Sequence, residues 1–253
     1  MSLPSYAFST AARTHVGRVR QLNEDSYVAR PDIGLWAVAD GMGGHERGDE
    51  ASRLIAARLE ALSAPDSAPA FLRTVEAAVL ACDQEVAAWP EGTSGSTLVA
   101  LLAFGGHFAL LWAGDSRAYR LREGRLDRLT EDHSLVQELV AAGELTPEAA
   151  RQHPYRNRIT RAVGVGHGLE LARLQGELAS GDLFLLCSDG LTGELGDGEI
   201  ASLLAADAPD AAADRLVARA LEAGGQDNIT LVLVGVVPAV GDLDATAPLG
   251  QAV

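Results

Sequence analysis

Six short runs rich in Val, Leu and aromatic residues, at 35–39, 96–104, 108–113, 118–122, 182–187 and 228–237, constrain the fold most strongly. Runs of this length and composition are strands. Between Leu101 and Leu129 three of them are separated only by Gly-containing turns, Gly105-Gly106 and Glu123-Gly124. An antiparallel meander is therefore expected, and a purely parallel sheet is excluded. Helical spacing covers 49–62, 68–88, 134–142, 197–206 and 210–223, with Asp or Ser near several starts as caps. Helices that cluster in pairs between blocks of antiparallel strands predict an α+β fold in which they cover sheet faces. One domain is expected over 1–237. Within it, 133–162 is polar, carries Pro147 and Pro154, and reads as a surface insertion. Residues 238–253 mix Pro, Gly, Ala and Asp without periodicity and read as a loosely ordered tail.

Charge narrows the function classes. Acidic residues number 35 against 20 basic ones, for a net charge of −15, so nucleic-acid backbones and anionic membrane surfaces are poor partners. All the basic residues are Arg, which excludes a Schiff-base or P-loop lysine. Cys82 and Cys187 each sit inside an apolar stretch and read as small buried hydrophobes, not as a disulfide. No apolar run reaches the roughly 20 residues of a membrane helix, and the amino terminus has no charged-then-apolar leader pattern. The expected location is the cytoplasm.

Aspartates recur at strand ends: Asp40-Gly41, Asp189-Gly190, Asp227-Asn228 and Asp115, with Glu24-Asp25 before a strand-like segment starting at Ser26. Taken singly, each Asp-Gly or Asp-Asn reads as a turn or a helix cap. Taken together they need a common cause. A carboxylate at a buried strand end costs several kcal/mol unless it is paired, hydrogen-bonded or bound to a cation, and few arginines lie near these positions. Hard oxygen donors with neither a His pair nor Cys beside them favour Mg²⁺ or Mn²⁺. His133, His153 and His167 match no standard zinc spacing.

The segments 20–25 (RQLNED), 40–45 (DGMGGH), 92–97 (GTSGST), 114–117 (GDSR), 188–191 (SDGL) and 227–230 (DNIT) occur in the order found in type 2C (PPM) protein phosphatases. Each is short; six in one order resemble that family specifically. The resemblance implies a four-layer α-β-β-α sandwich with two central antiparallel β-sheets and a metal cluster at one end. It implies a phosphatase acting on phosphoserine and phosphothreonine in proteins, with a metal-bridging hydroxide as nucleophile and no covalent phosphoenzyme. By match of motif, Asp40 bridges two Mn²⁺ or Mg²⁺ ions, the Gly41 carbonyl binds one, and Asp189 and Asp227 bind the other. Glu24 or Asp25 holds metal-bound waters, and Asp115 with Asp189 matches the third-ion site of bacterial members. Arg20 matches the arginine that grips the phosphoryl oxygens, a bidentate geometry Lys cannot reproduce. The insertion matches the bacterial flap, where substrate contacts are expected.

In the animal pattern a histidine follows the metal-binding Asp-Gly and is the presumed general acid; here Met42 stands there. His45 is the nearest replacement, as acid or as a structural hydrogen-bonding group. The expected protein is a monomer that opposes a serine/threonine kinase. Rival readings are a phosphatase dedicated to one phosphoserine regulator of an anti-sigma pathway, and a non-catalytic pseudophosphatase. The metal aspartates, all retained, speak against the latter. Residues 34–55 also resemble phosphatases of type VI secretion.

Overall fold

The computed structural model describes residues 6–43, 47–90, 94–151, 153–166 and 168–239. In chain order its elements are β1 (Tyr6–His15), β2 (Asp25–Arg30), β3 (Leu35–Met42), α1 (Gly48–Glu60), α2 (Ala68–Ala87), β4 (Gly95–Ser96), β5 (Leu98–Phe104) and β6 (His107–Ala113). There follow β7 (Arg117–Arg122), β8 (Arg125–Arg128), α3 (Leu135–Ala141), α4 (Pro147–Arg151), β9 (Ala172–Glu177), β10 (Leu183–Cys187), α5 (Asp189–Thr192), α6 (Asp197–Ala206), α7 (Pro209–Ala223) and β11 (Ile229–Pro238).

One sheet has the order β1-β11-β10-β7-β8 and the other β2-β3-β5-β6-β9, with β4 extending the end of β3; every pairing is antiparallel. Alternation along each strand sends side chains to two different apolar environments. From β3, Trp36 and Val38 face inward against Phe184, Leu186, Val232 and Val234 of the opposite sheet. The intervening Leu35, Ala37 and Ala39 pack on Ile55 and Leu59 of α1 and Phe71, Val75 and Val79 of α2. On the far side, Leu185, Leu231 and Leu233 meet Ile200, Leu203, Ala212, Leu216 and Ala220 of α6 and α7. Central strands buried on both faces explain the continuous apolar runs, and the resulting layers are α-β-β-α.

Local chemistry sets the boundaries. Ser67 caps α2 by accepting the Ala70 N–H, and Ser134 caps α3 by accepting the Gln137 N–H. Glu123 and Gly124 both take positive φ, 52° and 77°, as a tight hairpin turn between β7 and β8 requires. Cys82 and Cys187 are buried in different layers. Among the described residues no helix is long and apolar enough to cross a membrane.

The expected meander is corrected. β5 and β6 form one hairpin and β7 and β8 another, but β6 and β7 belong to different sheets. The chain crosses over at residues 114–116, where Gly114 takes φ 110° and a Cβ would lie 2.6 Å from Thr97 Cβ. That crossover carries Asp115 to the end of the sandwich. The insertion leaves and rejoins the sheet through the bridges Ser134↔Ile159 and Ser96↔Val163, and holds α3 and α4. Residues 240–253 of the expected tail lie outside the described residues, as do His45, Thr93 and His167.

Candidate metal centre

At one end of the sandwich, residues from separate parts of the chain line a single cavity of about 180 Å³: Arg20, Glu24, Asp40, Gly41, Asp115, Asp189 and Asp227, with Met42, Asn157, Ile159 and Asn228. Every described residue expected at the site is therefore in its wall except Asp25. Asp25 is outside the lining: it is only 9% exposed, opposite Asp40 in the β2–β3 pairing.

Asp40 is held by its backbone. Its N–H donates to Thr97 Oγ1 at 3.1 Å, its carbonyl accepts the Thr97 N–H at 2.8 Å, and Thr97 Oγ1 lies 2.7 Å from Ser116 Oγ. Thr97 thus ties the end of β3 to the crossover that carries Asp115, which gives the 92–97 motif a structural role. Glu24 is placed similarly: its carbonyl accepts the Gly41 N–H and Ser52 Oγ, while its N–H donates to Asn228 Oδ1. A Cβ on Gly48 would lie 2.6 Å from Glu24 Oε1, so the missing side chain makes room for a carboxylate at the first turn of α1.

Asp189 opens α5 and Asp227 precedes β11, and the two segments touch through Gly190. A Cβ there would lie 1.9 Å from the Asn228 carbonyl oxygen. Gly190→Ala is expected to cost about 1–3 kcal/mol by forcing backbone apart, read by urea unfolding. Gly198→Ala, in open space within α6, is the control and should be neutral or stabilising.

The electrostatics are those of buried carboxyl groups crowded against one another. Burial raises the Asp40 carboxyl well above its ordinary range, and the charges of Asp25, Asp189, Asp115 and Asp227 add to this. Burial and Asp189 likewise raise Asp115. Asp189 is pushed up to about 6 by burial and Asp227, partly offset by a hydrogen bond from Asp40. Asp25 reaches about 7 through burial, although Ser188 Oγ donates to its Oδ2 at 2.8 Å. Asp25 Oδ1 and Asp115 Oδ1 are buried with no hydrogen-bond partner. Arg20 Nη2 donates to Asp227 Oδ2 at 2.7 Å, the one guanidinium bonded to a carboxylate of the cavity wall among the described residues.

This donor set fits a hard divalent cation: oxygen ligands only, two orphaned carboxylate oxygens, and acids that retain protons where a cation would replace them. Among the described residues no three His, Cys, Asp or Glu side chains close into a ready-made cage. A site for Mg²⁺ keeps several water ligands and does not require such a cage.

Asn157, Ile159, Thr97 and Asn228 fall in segments that the sequence marks, the insertion and the 92–97 and 227–230 motifs, but none of them was expected among the site residues. The first two bring the insertion over the cavity, and Asn157 also lines an adjoining groove of about 500 Å³ that shares Asp115 and Asp189 with it.

Comparison with known proteins agrees with this geometry. The chain belongs to the protein phosphatase 2C family, whose profile matches residues 14–230. It is 42% identical over 232 residues to the serine/threonine protein phosphatase PstP of Mycobacterium tuberculosis, covering 90% of this chain and 45% of that protein. The chain thus spans about half the length of that relative. The catalytic domain of PstP has been solved in complex with two manganese ions; it superposes with a TM-score of 0.84 at 39% identity, covering 92% of this chain and 100% of that one. The serine/threonine phosphatase stp of Listeria monocytogenes is 35% identical over 88% of this chain and 93% of its own length. PppA, described as a key regulatory component of T6SS in Pseudomonas aeruginosa, matches with a TM-score of 0.84 and 42% identity, over 92% of this chain and 99% of that one.

Proposed function

We propose that this chain is a Mn²⁺- or Mg²⁺-dependent protein serine/threonine phosphatase that hydrolyses phosphoserine and phosphothreonine directly. The observation that carries the reading is the convergence of Arg20, Glu24, Asp40, Gly41, Asp115, Asp189 and Asp227 on one cavity. Asp40, Gly41, Asp189 and Asp227 are assigned to two cations, with Glu24 and the more distant Asp25 ordering their waters, and Asp115 with Asp189 to a third. Bound there, divalent cations lower the pKa of coordinated water and offset the charge that develops on phosphoryl oxygens.

The chain's own groups supply the rest. Arg20 is half exposed and bonded to Asp227 through one nitrogen, which leaves further N–H donors for two phosphoryl oxygens. Asn157 and Ile159 bring the insertion into the lining of the cavity. The insertion at 133–162 is assigned to substrate contact. His45 is assigned to protonating the leaving oxygen, tested by the pH–rate profile of His45→Ala. The substrates are phosphoproteins, with a serine/threonine kinase as the opposing enzyme. The reading places a monomer in the cytoplasm, where two separately buried thiols suit a reducing compartment.

Hydrolysis of p-nitrophenyl phosphate and of a phosphothreonine peptide tests the assignment. Activity is expected with Mn²⁺ and absent with excess chelator. Turnover undiminished by chelator would overturn it.

A further inference from the structure

We propose that Asn228 is the positioning residue that holds the loop carrying Arg20 and Glu24 in register with the cavity, an assignment that rests on the phosphatase reading for its catalytic meaning. Residues 16–24 join β1 to β2 without regular structure, so the placement of Arg20 depends on whatever ties this loop down. The side chain of Asn228, 5% exposed, makes more of those bonds than any other single group. Its Oδ1 accepts the Glu24 N–H at 2.8 Å, and its Nδ2 donates to the carbonyls of Val16 and Leu22, each at 2.9 Å. One carboxamide thus bonds the loop at its start and twice near its end. The loop is also fastened by Arg18 N–H on the Gly225 carbonyl, by Asn23 Nδ2 on Thr14 Oγ1, by the Arg20 guanidinium on Asp227, and at Glu24, whose carbonyl accepts the Gly41 N–H and Ser52 Oγ; no other side chain reaches both of its ends among the described residues.

The chemistry explains why the residue is an amide. Two carbonyls and one N–H converge on it, and only a carboxamide offers two donors and an acceptor at that length. Asp would leave both carbonyls without donors, and Leu would leave all three groups unpaired. Residue 227 receives the Arg20 guanidinium while residue 228 holds the backbone on either side of Arg20, at Val16 and at Leu22 and Glu24, so this dipeptide acts on both the head and the mount of the arginine. The Asn228 main-chain N–H, which donates to Asp227 Oδ1 at 2.9 Å, survives a side-chain substitution. A change at 228 therefore acts on the loop while Asp227 keeps its own hydrogen bond.

The test uses the full chain and four variants: Asn228→Ala, Asn228→Asp, Arg20→Ala and the double variant Arg20→Ala/Asn228→Ala. Without metal or substrate, amide hydrogen exchange across 16–24 should quicken in Asn228→Ala while β11 stays protected. With Mn²⁺ and p-nitrophenyl phosphate, its KM should rise about 10- to 100-fold with a smaller loss in kcat, since a displaced arginine weakens phosphoryl capture. The double variant should fall within about twofold of Arg20→Ala, because Glu24 stays held through its carbonyl by the Gly41 N–H and Ser52 Oγ, leaving the arginine as the group that Asn228 places. Asn228→Asp, which keeps the acceptor for Glu24, should be intermediate in both readouts, and it carries the test if the Ala variant does not fold. Wild-type exchange across 16–24 in the variants, or losses that multiply in the double variant, would overturn the proposal. A wild-type chain without Mn²⁺-dependent hydrolysis would sink the phosphatase reading instead and leave the exchange result to decide the tie.

Discussion

Asp40→Asn is expected to reduce Mn²⁺-dependent hydrolysis at least about a thousandfold, roughly 4 kcal/mol of barrier, and to raise the melting temperature of the metal-free protein. The two effects share a cause. Asn has the shape of Asp and leaves the backbone bonds to Thr97 untouched, so the end of β3 stays in place. It removes the acid that lies opposite Asp25 and whose ionisation is penalised by burial and by the neighbouring Asp25 and Asp189. Like charges directly opposite each other across a strand pair destabilise the sheet. Each kcal/mol regained corresponds to about 2–4 °C in a domain of this size. Steady-state kinetics with Mn²⁺ and calorimetry with chelator read the two quantities separately. A variant that melted lower than wild type in chelator would show Asp40 serving the fold, and one that kept its turnover would remove it from the site.

The layered architecture was legible because the central strands are buried on both faces and announce themselves as unbroken apolar runs. β1 was not legible. Its ten residues, YAFSTAARTH, include one fully buried side chain, Ala11, and it is a strand because it pairs with β11 along its whole length. β9, mostly exposed at the edge of the other sheet, was invisible for the same reason. The sheet switch at 114–116 was hidden because a Gly-containing turn within a sheet and one between sheets look alike until the partner strands are known. The carboxylates at the site could be read because acids at strand ends break a local expectation. Thr97 and Asn228 lie in the 92–97 and 227–230 motifs, but their bonding roles could not be read, since they bond backbone atoms of residues 57 and 204 positions away, which leaves no trace in nearby sequence. Asp25 was placed with Glu24 by adjacency, yet Glu24 ends the loop and lines the cavity while Asp25 opens β2 and is buried against Ser188, outside the lining.

The metal-free protein should lose stability as pH rises from about 4 to about 7, and Mn²⁺ should reverse that loss. The direction follows from carboxyls whose folded pKa lies above the ordinary 3.8: Asp189 at about 6 and Asp25 at about 7, with Asp40 and Asp115 also raised. Below pH 4 these groups are protonated in both states and cost nothing. Above it the unfolded chain ionises freely while the folded protein must surrender protons inside a crowded site, so the penalty grows through the folded pKa values and levels off beyond them. For one group held near 7 it amounts to about 4 kcal/mol taken alone, and coupled neighbours do not add in full. Asp32 and Asp214 move the other way because Arg30 and Arg13 bond them; that contribution is lost only as pH falls below the ordinary carboxylate range, and solvent screens it. A cation displaces the retained protons, so its benefit should grow with pH, reaching about 2.7 kcal/mol when present at a hundred times its Kd. Calorimetry at pH 5 and pH 8 decides the matter. Chelated protein should melt lower at pH 8, with the gap closed by Mn²⁺ and narrowed in Asp40→Asn; a melting temperature that held level or rose between those pH values in chelator would mean the carboxylates are not crowded into one site.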